Sequence, residues 1–502
     1  MKTVTIFKTS LVAAVAAMTM PAVLQAEEQE PDYLRSSLYT ILVNSATQNT
    51  RIEKENNEVA DNEYMSMIKG MANTDEKKAA NETSSIPLSE LPQAEFLKIA
   101  IPAQFNDHCL AVRELDFDKY KEGISKDDAD AANEFATGKK KSKFGAFAKQ
   151  LGGMALSAAA GTEVNLINTD DTGDYMIAVL NKFLIEDHTA YKMLARWFDY
   201  SDTTAQHWDV NEPTLNERAL QSLNVREQGG DGESKTLAAM SKTYNLIPNT
   251  FLMSINLAFR SNKAIVAESQ KLANGVLGSS ASLLGAAASA AAGDGYSVQA
   301  TTTLWRLVWD ENVELAISNA RDKNATLDDL IATGACKLDF VGRDKAGAHV
   351  RQSVLSDKPI SALVARATTR AIDAAIVKLQ EKNEVFRTIF PISGNDADGS
   401  IHVKIGTREG VAKGDAYAVL EKQEDADGRI SYKEIATVKP NEKMIWNNLA
   451  GAEEEAAENS KSSSKSSDTE FDNDAVSLGS TTFVGKKGKD YTGYYIQLKK
   501  KK

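Results

Sequence analysis

Two cysteines in 502 residues, Cys109 and Cys336, exclude the disulfide-braced framework that small secreted domains use. In an oxidising compartment the two can pair, while their apolar neighbours suit buried free thiols equally well. Histidine is scarce too, with only His108, His188, His207, His349 and His402. None of these forms a His-x-x-x-His or His-x-x-Glu-His pattern, and no cysteine stands at ligand spacing, so the usual zinc signatures are missing. A Gly-x-Ser-x-Gly elbow, a phosphate loop and a dinucleotide fingerprint are missing as well. Positive charge is in deficit: 58 Lys and Arg stand against 70 Asp and Glu, a net charge of −12. Without a basic stripe, an acidic chain is not built to grip a phosphate backbone, so nucleic acid is not an expected partner.

What is there begins with an export tag. Lys2 and Lys8 give a small positive start, Thr9 to Ala26 is uncharged with an apolar centre over Leu11–Met18, and Ala26 precedes Glu27-Glu28. That order reads as a cleavable signal peptide over 1–26, and its apolar centre is too short to span a bilayer comfortably. No cysteine stands at the exit for lipid attachment. The expected address is outside the cytoplasm. The remaining length suffices for two or three domains.

The expected fold class is α+β, with a mixed helix-and-strand main domain over 27–390 and a small C-terminal β-barrel over 391–502. Strands are expected at Ser37–Val43, at Phe96–Ile101, at Phe251–Phe259 and over Tyr296–Trp309; the last two alternate with a period of two. Residues 121–143 read as a solvated helix and loop. One long helix is expected over about 174–199, where Met176, Val179, Leu180, Phe183, Leu184, Tyr191 and Leu194 keep three-and-four spacing. Shorter helices are expected around 60–71, 215–223 and 235–244, and another over about 360–382 behind Pro359. Two Ala/Gly/Ser-rich segments, 144–161 and 272–293, read as helices whose small side chains permit close approach, in water or in lipid. In the barrel, strands are expected at Ile401–Ile405, Ala416–Lys422, Arg429–Lys439, Lys443–Trp446 and Tyr494–Leu498. Residues 451–478 lack large apolar side chains and read as a disordered insertion, and Lys499–Lys502 as a solvated tail.

Three patterns of chemistry-bearing residues occur. Asp187-His188 with His207 and Asp209 has the right residue types for a catalytic or metal site, but nothing in the spacing makes them converge. Ser66-x-x-Lys69 fixes too few positions to carry information. Gln423 to Glu434 places acids, Gly428, Ile430 and a final Glu at the offsets of a calcium loop. Its first position is Gln423 rather than Asp, and its flanks read as strands where such a loop needs helices. A hairpin turning at Asp427-Gly428 explains the same residues. No catalytic, cofactor or metal residue is therefore assigned, and no cofactor is expected.

The stretch Gly406-x-x-x-Gly410-Val411-x-x-Gly414-Asp415, followed by a strand, resembles small β-barrel modules of flagellar and curli assembly factors. Asp32–Tyr39, Ile101-Pro102 with Phe105–His108, Ile247–Phe251, and Arg370–Asp373 with Val385–Arg387 resemble a family of secreted and envelope proteins of Bacteroidota-type bacteria. The resemblance implies an exported location, in the periplasm, at the outer surface or in the medium of a Gram-negative bacterium, and an envelope protein partner, and brings no activity or catalytic residue. It also implies O-linked glycans at Asp-Ser/Thr sites, which Asp202-Thr203-Thr204 fits. The expected function is a non-enzymatic binding or assembly component. The alternatives are an extracytoplasmic hydrolase built on His188, His207 and nearby acids, and a membrane-associated protein using the two small-residue segments.

Overall fold

A computed structural model describes residues 36–60, 90–96, 98–99, 102, 104–107, 113–137, 172–197, 247–261, 295–323, 325–351, 360–425, 430–461 and 473–502. All of them belong to one compact unit. The leader, both small-residue segments, the helices expected at 215–223 and 235–244, and Asp202–Thr204 lie outside the described residues, as does all but the first residue of the helix expected around 60–71.

The fold is α+β. In the main part the elements run β1 Ser37–Asn44, α1 Ala46–Ala60, α2 Leu91–Phe96, β2 Asn106–Asp107, β3 Arg113–Asp116, α3 Phe117–Lys121 and α4 Lys126–Thr137. They continue with α5 Thr172–Glu186, α6 Thr189–Trp197, β4 Thr250–Ser261, β5 Gly295–Leu307, α7 Glu311–Asp322, α8 Leu327–Ala332, β6 Leu338–Arg351 and α9 Ile360–Lys382. The sheet order is β2-β1-β4-β5-β6, with β3 also paired to β1. β1 runs parallel to β2, β3 and β4, whereas β4, β5 and β6 are antiparallel neighbours. A strand flanked on both edges and covered on both faces is buried almost throughout, which is why β1 reads as a nearly continuous apolar run.

Alternation along β4 sends Phe251, Met253, Ile255, Leu257 and Phe259 into one core, shared with Leu363, Val364, Ala367, Ala371, Ala375, Ile376 and Leu379 of α9. Leu252, Trp305, Tyr39, Ile41 and Val43 enter a second core with α5 to α8 on the opposite face. Several expectations change here. Phe96 ends a helix rather than beginning a strand; Pro92 sits in its first turn, where a missing N–H costs nothing. The helix expected over 174–199 is two, broken at His188, whose φ is +53°. Asp187 accepts from Thr189 Oγ1 and Lys192 Nζ, side-chain bonds that hold the start of the second helix across the break while the apolar spacing runs on unbroken.

β6 carried no expectation because Gly342, Arg343, Asp344, Lys345 and Gly347 interrupt its alternation, and its pairing with β5 shifts register between Leu304 and Trp305. α7 and α8 were also missed. The second is headed by a capping box between Thr326 and Asp329 that the sequence spells out.

The C-terminal part holds β7 Ile389–Pro391, β8 Gly394–Asn395, β9 Ser400–Val403, β10 Ala416–Glu424, β11 Ile430–Pro440, α10 Ala452–Lys461, α11 Asn473–Val476, β12 Thr481–Val484 and β13 Tyr495–Lys500. The strand order β7-β13-β10-β11-β12-β9-β8 is an open seven-stranded sheet, not the closed barrel expected. Its two edge strands follow one another in the chain. Between them Ile392 N–H donates to Tyr494 O and Ser393 N–H to His402 O, so a two-residue step spans the ends without a ladder joining them. Lys443–Trp446 is not a strand, although Thr482 N–H donates to Met444 O. The insertion expected to be disordered contains α10 and α11, with Ala452 buried; residues 462–472 lie outside the described set. The calcium-loop pattern falls on the β10–β11 hairpin, which pairs Gln423 with Ser431 and Glu424 with Ile430. Strands flank it where a calcium loop needs helices.

Candidate functional site

Helix α9 has two working faces. One enters the main core. The other carries Arg366, Arg370, Asp373, Val377 and Glu381 at helical spacing, and it receives the C-terminal sheet. Arg366 pairs with Glu454 and Glu455, and Arg370 with Glu455, from the acidic first turn of α10. Arg370 Nε also donates to Ala450 O at 2.9 Å. Negative side chains in a helix's first turn suit its dipole, so α10 starts where two arginines await it.

The Gly406–Asp415 stretch supplies the next contacts. Arg408 grips Asp373 with Nε at 2.8 Å and Nη2 at 3.3 Å. Arg408 N–H donates to Asn448 Oδ1, while Glu409 Oε2 accepts from Gly406 N–H and Asn448 Nδ2. Gly410 has φ +78° and packs against Val377, and Asp415, 1% exposed, accepts from Ala412 N–H, Lys501 Nζ and Lys502 N–H. Lys501 also donates to Gly410 O and faces Glu381. Lys499 pairs with Glu434. The final lysines are thus fastened to the sheet and to α9, not a solvated tail.

Burial beside Arg408 decides the state of Asp373. Desolvation pushes its carboxyl up to about 6; the pairing with Arg408 opposes this, and the nearby Glu409 adds to it. A carboxyl raised on folding contributes stability that is full below its unfolded value and lost as pH rises through about 6. The gap corresponds to roughly 2–3 kcal/mol. Asp373→Asn removes this titration. The unfolding free energy of the variant, minus that of the natural chain, is expected to grow by that amount between acid and neutral pH. Urea melts at a series of pH values check it; a difference independent of pH refutes it.

At the same seam lies a groove of about 180 Å³, lined by Ser36, Gln104, Asn249, Glu384, Val385, Arg387, Thr388, Ile389, Tyr432 and Gln497. Asn249 ends the turn that leads into β4. Glu384 to Ile389 carry the chain from α9 into β7, and Tyr432 and Gln497 belong to β11 and β13. Among the described lining residues the two charged ones pair with each other, the Glu384 side chain remaining 82% exposed. Arg387 donates to Glu384 at 3.2 Å and to the Gln380 and Glu381 carbonyls, capping the C-terminus of α9. Gln497 Nε2 donates to Arg387 O and Gln380 Nε2 to Thr388 Oγ1. Beside this pair the described lining carries hydroxyl and amide side chains, Val385, Ile389 and a phenol ring.

The sequence-derived candidates do not assemble into a reaction centre within the described residues. Asp187 is held by Thr189 and Lys192, and the His188 ring lies edge-on to Tyr191. His108, His207, Asp209, Ser66, Lys69 and Cys109 lie outside the described residues; of His349 only the backbone, on β6, is described. Cys336 is a buried free thiol, pushed up to about 12 chiefly by desolvation, and hence unreactive near neutral pH. Among the described residues no group of three or more His, Cys, Asp or Glu gathers as metal ligands would. No described helix is long and apolar enough to cross a membrane.

One grouping escaped the sequence. His402 Nε2 lies 2.8 Å from Asp396 Oδ2, and its Nδ1 3.2 Å from Thr482 Oγ1. The three residue types match a nucleophilic relay, but Thr482 is 6% exposed and its N–H is committed to Met444 O. The grouping ties β9 to β12 and to the turn after β8. Spacing cannot show it, since 80 residues separate His402 from Thr482. Comparison of the chain with family models, curated proteins and solved structures finds no match.

Proposed function

We propose that this chain is a non-enzymatic binding or assembly component of a bacterial envelope or surface, exported by its N-terminal leader. The observation that carries the reading is the division of labour at the seam. Arg366, Arg370, Asp373 and Arg408 fasten the C-terminal part to α9, and the described lining of the groove beside them includes amide and hydroxyl side chains. A recognition surface needs such groups fixed in place and needs no general base or nucleophile. The leader over 1–26 and the resemblance to secreted and envelope proteins support the location, and the likeness of Gly406–Asp415 to assembly modules supports a structural role.

Affinity capture of the full chain from envelope extract tests this. The expected result is repeated recovery of the same envelope component, weakened when Val385→Arg fills the groove. Repeated capture of nothing overturns the binding reading, and an intact Met1 form dissolved among cytoplasmic proteins overturns the location.

A further inference from the structure

Helix α10 is held by charge more than by apolar packing. Its only apolar side chains are the alanines Ala452, Ala456 and Ala457, and of its described side chains only Ala452 is buried. A methyl group takes little surface out of water, and a helix of 10 residues is marginal without a partner. Its anchor is Glu455. One carboxylate oxygen accepts from Arg366 Nη1 at 3.0 Å and the other from Arg370 Nη2 at 2.9 Å. A single side chain thus bridges two guanidinium groups that lie one turn apart on α9. Glu454, 58% exposed, adds a second pairing to Arg366.

The chain on either side of α10 is fixed independently. Before it, Ala450 O accepts from Arg370 Nε, and Asn447 N–H donates to Ala475 O. After it, α11 is pinned by Trp446 Nε1, which donates to Val476 O at 3.1 Å. Gly451, at φ +76°, turns the chain into α10 over Arg366, where a Cβ would collide with the guanidinium. The sheet's own holds on α9, Arg408 on Asp373 and Lys501 facing Glu381, use no atom of α10. Breaking a buried ion pair is costly when it strands a charge away from water. Here the side chains of Arg366 and Arg370 are 9% and 13% exposed, and part of their cover leaves with α10, so both gain water as they lose Glu455.

We propose that α10 is an electrostatic strap: it leaves α9 as a unit while the C-terminal sheet stays docked, and its departure uncovers the Arg366–Arg370 pair. Such a device stands independently of the binding reading above.

Hydrogen exchange of the full chain tests the strap. Salt screens ion pairs and spares apolar packing, so amides 452–461 are expected to exchange about threefold faster or more at about 0.5 M NaCl than at about 0.05 M. Amides 416–424 of β10 should keep their rate. Glu455→Gln removes the bridging charge and is expected to speed exchange of 452–461 about tenfold at low salt, with the melting temperature unchanged. Phenylglyoxal, which modifies accessible arginine, should then label Arg366 and Arg370 in Glu455→Gln and spare them in the natural chain at low salt. Protection of 452–461 that ignores salt, or that is missing even at low salt, overturns the strap. So does a Glu455→Gln chain that melts earlier as a whole, since α10 would then be integral to the fold. Arginines that stay unlabelled while 452–461 exchange freely overturn the uncovering.

Discussion

Phe386→Ala is expected to lower the unfolding free energy by about 3–5 kcal/mol, the range for emptying a fully buried aromatic site. Phe386 is 0% exposed and lies in the turn Glu384–Phe386, between the end of α9 and β7. Its ring stacks on Phe105 at 5.3 Å and meets Phe251 edge-on at 5.0 Å. Three segments distant in sequence converge on that ring: the approach to β2, the start of β4 and the exit of α9. Collapse around the void is therefore constrained on three sides, and the aromatic pairings add to the area lost. Urea unfolding followed by tryptophan emission measures the effect. A loss below about 1 kcal/mol would mean that the junction between helix and sheet is loose.

Gly410→Ala is expected to cost about 3 kcal/mol, two-thirds of it from docking rather than from backbone strain. Gly410 and Gly479 share the left-handed region, at φ +78° and +68°. A side chain there costs about 1 kcal/mol of strain at either site. They differ in their surroundings. A methyl on Gly410 would stand 2.4 Å from Val377 Cγ1, whereas at Gly479 nothing lies within 4 Å. The difference between the two variants thus isolates the contact of the Gly406–Asp415 loop with α9. Hydrogen exchange of amides 406–415 should quicken in Gly410→Ala and stay unchanged in Gly479→Ala. Equal effects in both variants would separate this loop from the helix.

Much of the scaffold was legible in the residues. β4 and β5 announced themselves by alternation, α9 by its spacing behind Pro359, and the β10–β11 hairpin by strands around Asp427-Gly428. The failures have local causes. β6 is an edge strand studded with charge and glycine, so no period survives along it. The helix break at His188 falls inside an unbroken apolar stripe. Of the groove, Ser36, Asn249, Val385 and Arg387 fell within stretches that carried the resemblance, and Tyr432 and Gln497 within expected strands, but none was singled out for its chemistry. Ser36, Gln104, Asn249, Tyr432 and Gln497 come from five separate segments, and no local spacing marks residues that meet only after folding. The one signal within reach was Glu384-x-x-Arg387, an i,i+3 pair closing a helix end.

By itself the sequence determined the α+β character, the long strands, the helix that became α9 and the turn-rich C-terminal part. Backbone geometry repeats every two or every 3.6 residues, and side-chain polarity records which face is wet. Only the tertiary structure decided that the C-terminal sheet stays open, that an acidic stretch and a lysine tail serve as fastenings, and that Asp373 is buried opposite Arg408. Those outcomes depend on which surfaces meet and what water they exclude, and a charge carries no mark along the chain of whether it will be covered.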